Sequence, residues 1–232
     1  MIGQLTELLA GHGIELGAHA EELKVYHDLL LQWNTRMDLT NVAPEEMALR
    51  HYADSLVPLK NASWFARGTS MIDVGTGAGF PGMAIGIMRP DMKILLLDSL
   101  KKRCDFLSAV VDELGLKNIS VLHARAEDAA RDKWRGSFDI SAARAVAPMR
   151  VLIEYLLPFV KVGGQALCWK GPGLDEELSE LKSALFLLKG RLGERMLLDL
   201  PGFEHSVQAV IKTAPTPAPY PRKAGLPKKD PL

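Results

Sequence analysis

The sequence of 232 residues predicts an α/β protein with a doubly wound, mostly parallel seven-stranded sheet and an N-terminal helical extension. Three observations carry that expectation. From Ser70 onward, short continuous apolar runs alternate with amphipathic ones, the texture of strands covered on both faces and joined by crossover helices. Before Ser70 no strand signal appears, and apolar residues recur at three- and four-residue spacing. A glycine-rich segment, MIDVGTGAGFPG at 71–82, stands where the first strand hands over to the first crossover.

Residues 1–66 read as a helical cap built from LTELLAGHG, EELKVYHDLLLQWNTRM and PEEMALRHYADSLVPL. The intervening MDLTNVAP is turn chemistry, and Pro44 can open the third helix. In the sheet domain, 67–213, the strands are SMIDV, MKILLLD, NISVLHA, FDISAA and GQALCWK. Between them GMAIGIMRP, KKRCDFLSAVVDELG, EDAARD and PMRVLIEYLLPFVK are helices, and LDEELSELKSALFLLKG is one more. GERMLLDLPGFEHSVQAVIKTA reads as two strands joined through Pro201-Gly202, closing the sheet with an antiparallel edge. The remainder, 214–232, has too many prolines for a central element and reads as an extended basic tail.

Composition narrows the function classes. No run of eighteen apolar residues and no basic leader with a long apolar block is present, so a cytoplasmic protein without a membrane partner is expected. Cys104 and Cys168 show no metal-ligand spacing, so no metal site is expected, and both fit the core. The 28 basic and 28 acidic residues cancel, which removes any global field toward nucleic acid and leaves only local patches. Those are Lys101 to Arg103, the loop with Arg131, Lys133 and Arg135, and the tail with Arg222, Lys223, Lys228 and Lys229. A monomer is the default.

The glycine segment carries two overlapping fingerprints. Gly77-x-Gly79-x-x-Gly82 is the spacing of dinucleotide binders, and Asp73-x-Gly75-x-Gly77-x-Gly79 is that of nucleoside-sulfonium binders. Pro81 removes an amide donor from the turn that would face a pyrophosphate. Asp73 can pair with the amino group of a methionine moiety, which nicotinamide cofactors lack. Asp98, ending the second strand, can accept both hydroxyls of a ribose, and the Ala126 amide with Glu127 can edge an adenine. These acids and glycines fall on one edge of one sheet, which points to S-adenosylmethionine.

Methyl transfer needs chiefly alignment of the acceptor behind the sulfonium carbon. An exocyclic amine acceptor commonly comes with an Asn/Asp-Pro-Pro-aromatic turn after the fourth strand, where this chain has SAARAVAP. A pyrimidine carbon needs a cysteine nucleophile on a loop, and neither cysteine is so placed. An acceptor with its own lone pair, such as guanine N7, needs neither. Arg144, directly after the fourth strand, is the residue placed to face the reacting centre, with Arg150 and Lys170 on the same rim.

WNTRMDLTNV, HYADSLVPL, MIDVGTGAGFPGMAIGI, LLLDSLKKRCDFL, HARAED, ISAARAVAP and YPRKAGLPKKDPL together closely resemble the RsmG family, also called glucose-inhibited division protein B. The resemblance runs from about residue 26 to the end. It implies a Rossmann-like class I methyltransferase that methylates guanine N7 in 16S ribosomal RNA near the decoding site, with free RNA or a small-subunit precursor as partner. By similarity the cofactor contacts are Gly75, Phe80, Ala126, Glu127 and Arg144. The matching blocks also suggest a purpose for the cap, which would lean over the site's mouth and present Asn34, Thr40, Asn41, His51, Asp54 and Ser55 to RNA or to the cofactor loop; Arg150, Lys170, Arg222, Lys228 and Lys229 are the further RNA-binding candidates. A small-molecule or protein methyltransferase and a nicotinamide-dependent oxidoreductase are the alternatives.

Overall fold

The computed structural model describes residues 1–202 and 204–232. Its strands are β1 Ser70–Val74, β2 Lys93–Asp98, β3 Ile119–His123, β4 Phe138–Arg144, β5 Val160–Lys170, β6 Gly190–Leu197 and β7 Ser206–Lys212. They form one sheet in the order β3-β2-β1-β4-β5-β7-β6. The first five run parallel, and β7 lies antiparallel between β5 and β6. The chain winds outward from β1 to β3, then restarts at β4 on the other side of β1. That reversal opens a crevice at the carboxyl ends of β1 and β4, where a ligand can enter.

The helices are α1 Ile2–Ala10, α2 Ala20–Asn34, α3 Asp54–Leu56, α4 Gly82–Met88, α5 Lys101–Glu113, α6 Ala126–Ala129, α7 Met149–Leu156, α8 Leu174–Ser179, α9 Lys182–Leu188 and α10 Leu226–Lys229. Among the described residues no helix is long and apolar enough to cross a membrane, and no group of three or more His, Cys, Asp or Glu is placed to hold a metal ion.

Each face of the sheet has its own core. On one, the cap residues Leu23, Tyr26 and Leu30 pack with Phe106 and Leu107 of α5 and with Leu96 and Trp169 of the sheet. On the other, Ile72 and Leu95 meet Leu152 of α7, Phe159 and Leu188. Full burial of each such side chain is worth roughly 1.5–3 kcal/mol. The cap is therefore held to the sheet by the same hydrophobic contacts that hold α4 and α5.

Three expected elements take a different form. The third cap segment is not one α-helix: a 3-10 turn at Pro44–Glu46, a π-helical turn at Ala48–Ala53, α3 and a further 3-10 turn at Val57–Lys60 follow one another. Side chains claim the carbonyls that a regular helix would use, with Arg144 Nη1 donating to Arg50 O at 2.9 Å and Ser55 Oγ to His51 O at 2.5 Å. The helix expected over LDEELSELKSALFLLKG is broken into α8 and α9, where Ser179 Oγ turns back to Glu176 O at 2.7 Å. β5 begins earlier than GQALCWK suggests: Val160 and Lys161, expected to end the helix PMRVLIEYLLPFVK, are strand together with the following VGG, with a register shift against β4 and Gly164 packed where a Cβ would sit 2.5 Å from Asp139 O. The connection expected at Pro201-Gly202 does join β6 to β7; Phe203 within it lies outside the described residues.

The tail is the largest departure. It is anchored along its length instead of reaching into solvent. Arg135 donates to Thr216 O and Tyr220 O, both at 2.7 Å, and Arg131 donates to Pro221 O. Arg222 grips the fully buried Glu154 of α7, with Nη2 to Oε2 at 2.7 Å and Nε to Oε1 at 2.9 Å. Arg150 binds the main-chain oxygens of Pro231 and Leu232.

Candidate active site

The glycine turn between β1 and α4 has most of its amides engaged. Gly75 and Thr76 donate to Leu97 O, Gly79 and Phe80 to Thr76 O, and Met83 to Gly79 O. Gly77 N donates to Asp98 Oδ2 at 3.0 Å, and Gly82 N to Asp73 Oδ2 at 2.8 Å. Pro81 has no amide hydrogen. A pyrophosphate would meet spent donors and two carboxylates here, so the dinucleotide spacing of this turn does not make a dinucleotide site.

The same bonds redefine the two acids. Asp73 is fully buried, accepts Thr76 Oγ1 at 2.6 Å as well as the Gly82 amide, and leaves Oδ1 without a partner. Burial raises its carboxyl to about 6, against the lowering effect of those two hydrogen bonds. Asp98 takes the Gly77 amide on Oδ2 and the Leu100 amide on Oδ1, with Arg103 Nη1 3.5 Å away. Both carboxylates thus brace the turn from below. The expected direct pairing of Asp73 with a ligand amino group is not what this geometry presents.

The glycines divide by direction. Gly75, at φ +71°, packs so that a Cβ would lie 2.9 Å from Val146 Cγ2, across the crevice mouth. Gly77, at φ +61°, would bring a Cβ near nothing closer than the Gly75 carbonyl at 4.0 Å. Gly79, at φ +104°, faces the cap: a Cβ there would be 2.6 Å from the Tyr26 hydroxyl. Tyr26 in turn donates to Ala78 O at 2.5 Å, stitching α2 to the turn.

A cleft of about 230 Å³ opens beside Gly75 at the carboxyl ends of the first three strands. Ala126 and Glu127 of α6 line it, with Val146 after β4 and Tyr155 of α7. Of the cofactor residues expected from sequence, Gly75, Ala126 and Glu127 stand at this cleft. Phe80 does not: it is 3% exposed, tilted on Tyr26 at 5.3 Å between ring centroids, edge-on to Tyr52 at 5.0 Å and stacked on His51 at 4.6 Å. Its side chain seals the cap onto the glycine turn.

Arg144 is likewise committed. Nη1 pairs with Asp54 Oδ2 at 2.8 Å, Nη2 reaches His51 Nδ1 at 3.1 Å, and the guanidinium lies 5.2 Å from the Phe80 ring centroid. Because guanidinium cannot accept a hydrogen bond, His51 Nδ1 must be the acceptor and Nε2 carries the proton, donated to Thr40 Oγ1 at 2.7 Å. Burial, with Arg144 adding to it, lowers His51 to about 3, so the ring is neutral. Asp54 also binds His205 Nδ1 through Oδ1 at 2.9 Å, and its main-chain oxygen accepts Trp169 Nε1. Arg144, Asp54 and His205 therefore lead from the glycine turn to a second, wider cleft of about 1070 Å³ between the end of β5 and the β6–β7 connection, lined by His205, Arg195, Gly171 and Leu200.

The expected RNA contacts sort unevenly. Asn34 is internal, accepting from the amides of Leu39 and Thr40 and donating to Thr40 O. Lys170 pairs with Glu177 at 2.7 Å and donates to Ala147 O; Arg222 and Arg150 hold the tail as described. These four, with His51, each hold partners within the chain. Asn41, Lys228 and Lys229 remain exposed. Sequence reasoning missed Val146, Tyr155 and the Asp54–His205 pair. One signal exists after the fact: Ala145, between Arg144 and Val146, holds φ at 55°, a strained value for a residue with a Cβ and one that gathers at functional rims.

The family model described as rRNA small subunit methyltransferase G (GidB) matches residues 19–196. The chain belongs to the rRNA small subunit methyltransferase G family. Methyltransferase G proteins of Alkaliphilus metalliredigens (strain QYMF) and Clostridium perfringens (strain 13 / Type A) are similar along nearly the whole length. The first is 44% identical, covering 94% of this chain and 95% of that one. The second is 45% identical, covering 91% and 90%. Among solved structures, a mutant of MtNAS in complex with S-adenosylmethionine superposes with a TM-score of 0.57 at 16% identity over 83% of this chain and 75% of that one. An S-adenosylmethionine-dependent methyltransferase from Aquifex aeolicus gives 0.53 at 19% identity over 80% and 98%. The cyclase SpnF gives 0.56 at 13% identity over 75% and 84%, so the likeness among structures marks the Rossmann-like fold and not the reaction. As a methyltransferase G family member, the protein is an enzyme that uses S-adenosylmethionine.

Proposed function

We propose that this enzyme transfers the methyl group of S-adenosylmethionine to N7 of one guanine in 16S ribosomal RNA near the decoding site, acting as a cytoplasmic monomer on RNA or on a small-subunit precursor. The observation that carries the choice of acceptor is the rim after β4, Arg144-Ala145-Val146-Ala147-Pro148, which holds no side chain suited to strip a proton from an amine. Nor is there a thiol for ring activation. Cys168 is fully buried, and burial pushes its thiol up to about 12; Cys104 is buried against Asp98 O. Guanine N7 already owns the attacking lone pair.

When bound, the cofactor supplies an electrophilic methyl on a cationic sulfur, and the chain has only to hold acceptor and methyl in line. The residues fit such a ligand. The Gly75 backbone and the cleft at Ala126 and Glu127 form a cradle for the nucleoside, and the turn above Asp73 and Asp98 supplies a negative field for a cationic group. In this reading 67–213 is the methyltransferase domain, 1–66 the cap and 214–232 the tail. The wider cleft past Arg144 receives the RNA.

The test is to map N7-methylguanine in 16S RNA from cells with and without the gene. Loss of a single modified guanine, restored by the purified enzyme with S-adenosylmethionine, is the expected result. An unchanged N7 map alongside loss of a methyl elsewhere in the RNA would refute the assignment.

A further inference from the structure

We infer that the tail is a wall of the cofactor cleft, with Lys228 contributing its side chain to the adenosine pocket; the inference rests on reading the cleft at Gly75, Ala126 and Glu127 as the cofactor site. Gly225 and Lys228 both line that cleft, as Gly75 does. The Gly225 amide donates to Glu127 Oε1 at 2.9 Å, so the acid at the adenine end is already coupled to the tail.

The position of this wall is fixed from two sides. Before it, Arg131 and Arg135 hold the carbonyls of Thr216, Pro217, Tyr220 and Pro221. At its start, the Arg222 amide and guanidinium both bind Glu154, whose neighbour Tyr155 on α7 lines the same cleft. After it, Arg150 holds Pro231 and Leu232. Anchors of this kind cost ordering entropy and make sense when the segment between them has a surface to present. What Lys228 presents is a flexible apolar stem ending in a donor, suited to cover a purine and reach its ring nitrogens. Lys229, its neighbour on α10, does not line the cleft. The two lysines, alike in charge and exposure, are thereby assigned different work.

Isothermal calorimetry with S-adenosylhomocysteine on the full chain and on Lys228→Ala and Lys229→Ala separates them. Lys228→Ala is expected to weaken binding by about tenfold, the worth of one hydrogen bond from a charged donor, while Lys229→Ala matches the parent. As a second readout, amide exchange over 222–229 in the unsubstituted protein should slow when S-adenosylhomocysteine is added. If the parent binds but both variants bind equally well and exchange over the tail is unchanged, the wall is refuted and the cofactor reading stands. If Lys228→Ala instead binds S-adenosylhomocysteine normally and loses only affinity for ribosomal RNA, the lysine belongs to the RNA surface and the inference fails. If the parent itself does not bind S-adenosylhomocysteine, the reading of the cleft fails and the inference with it.

Discussion

Arg144 and Asp54 form an ion pair at 2.8 Å between the end of β4 and the start of α3, with side chains 12% and 0% exposed. It is a charged link between the sheet and the cap. A buried carboxylate that loses its partner is left with an uncompensated desolvation cost. Arg144→Met and Asp54→Asn should each lower the unfolding free energy by about 3 kcal/mol, and the double variant by clearly less than their sum. Urea denaturation of the four proteins measures the coupling; strict additivity would show that the pair does not act as a unit.

His51 makes the cap sensitive to acid. Its folded-state value of about 3 lies below the ordinary histidine range of roughly 6.5, so the unfolded chain takes up this proton first. Stability from the neutral ring is complete above the ordinary range and drains away as pH falls toward the folded value. His51→Gln should be less stable at neutral pH yet lose less on acidification. Asp73 works in the opposite sense, since a raised carboxyl costs stability as pH rises through about 6, but it is common to both proteins and cancels in the comparison. Parallel slopes of unfolding free energy against pH would exclude the histidine as the source.

Gly77 and Gly79 should respond differently to one methyl group. Alanine at Gly77 meets only the Gly75 carbonyl at 4.0 Å, so its cost is the left-handed backbone alone, roughly 1 kcal/mol. Alanine at Gly79 adds a 2.6 Å approach to the Tyr26 hydroxyl and a 2.9 Å approach to Met83 Cβ. The melting temperature of Gly79→Ala should fall further, and Tyr26→Phe in the same chain should return part of the loss. Equal melting temperatures for the two alanine variants would contradict the packing described.

Asn34 and Asn41 share a sequence block and should separate in function. Asn34→Ala removes three hydrogen bonds that shape the loop from Leu39 to Thr40, and about 2 kcal/mol of stability with them. Asn41→Ala, at an exposed position, should leave the melting temperature alone and lower methylation of small-subunit RNA. A variant of Asn41 with full activity on ribosomal substrate would remove it from the RNA surface.

How far the sequence could be read depended on the range of the interaction. SMIDV and MKILLLD announce buried strands through their own side chains, and β1 and β2 occupy nearly those residues. The acids Asp73 and Asp98 were legible as strand-end carboxylates next to a glycine turn, but not the amides they accept, because those depend on how the turn folds back over them. The tail shows the limit most plainly. Its prolines and lysines spell an extended basic segment, while the partner that draws Arg222 inward, Glu154, lies 68 residues earlier on α7. A cation in search of RNA and a cation bound to a buried acid look the same in one dimension. His205 was invisible for the same reason, 151 residues from the Asp54 it contacts.

The place of β7 between β5 and β6 sets a timetable for making this protein. β5 can dock on β4 as soon as residue 170 has been synthesised, yet its outer edge is covered only by β7, the strand that comes last in the chain. Until residues 206–212 emerge, the 165–170 stretch of β5 stands with a row of open hydrogen-bonding groups, and β6 has nothing to pair with. A nascent chain stalled between these points is a template for pairing with its neighbours. The enzyme is thus open to aggregation while residues 171–205 are being made.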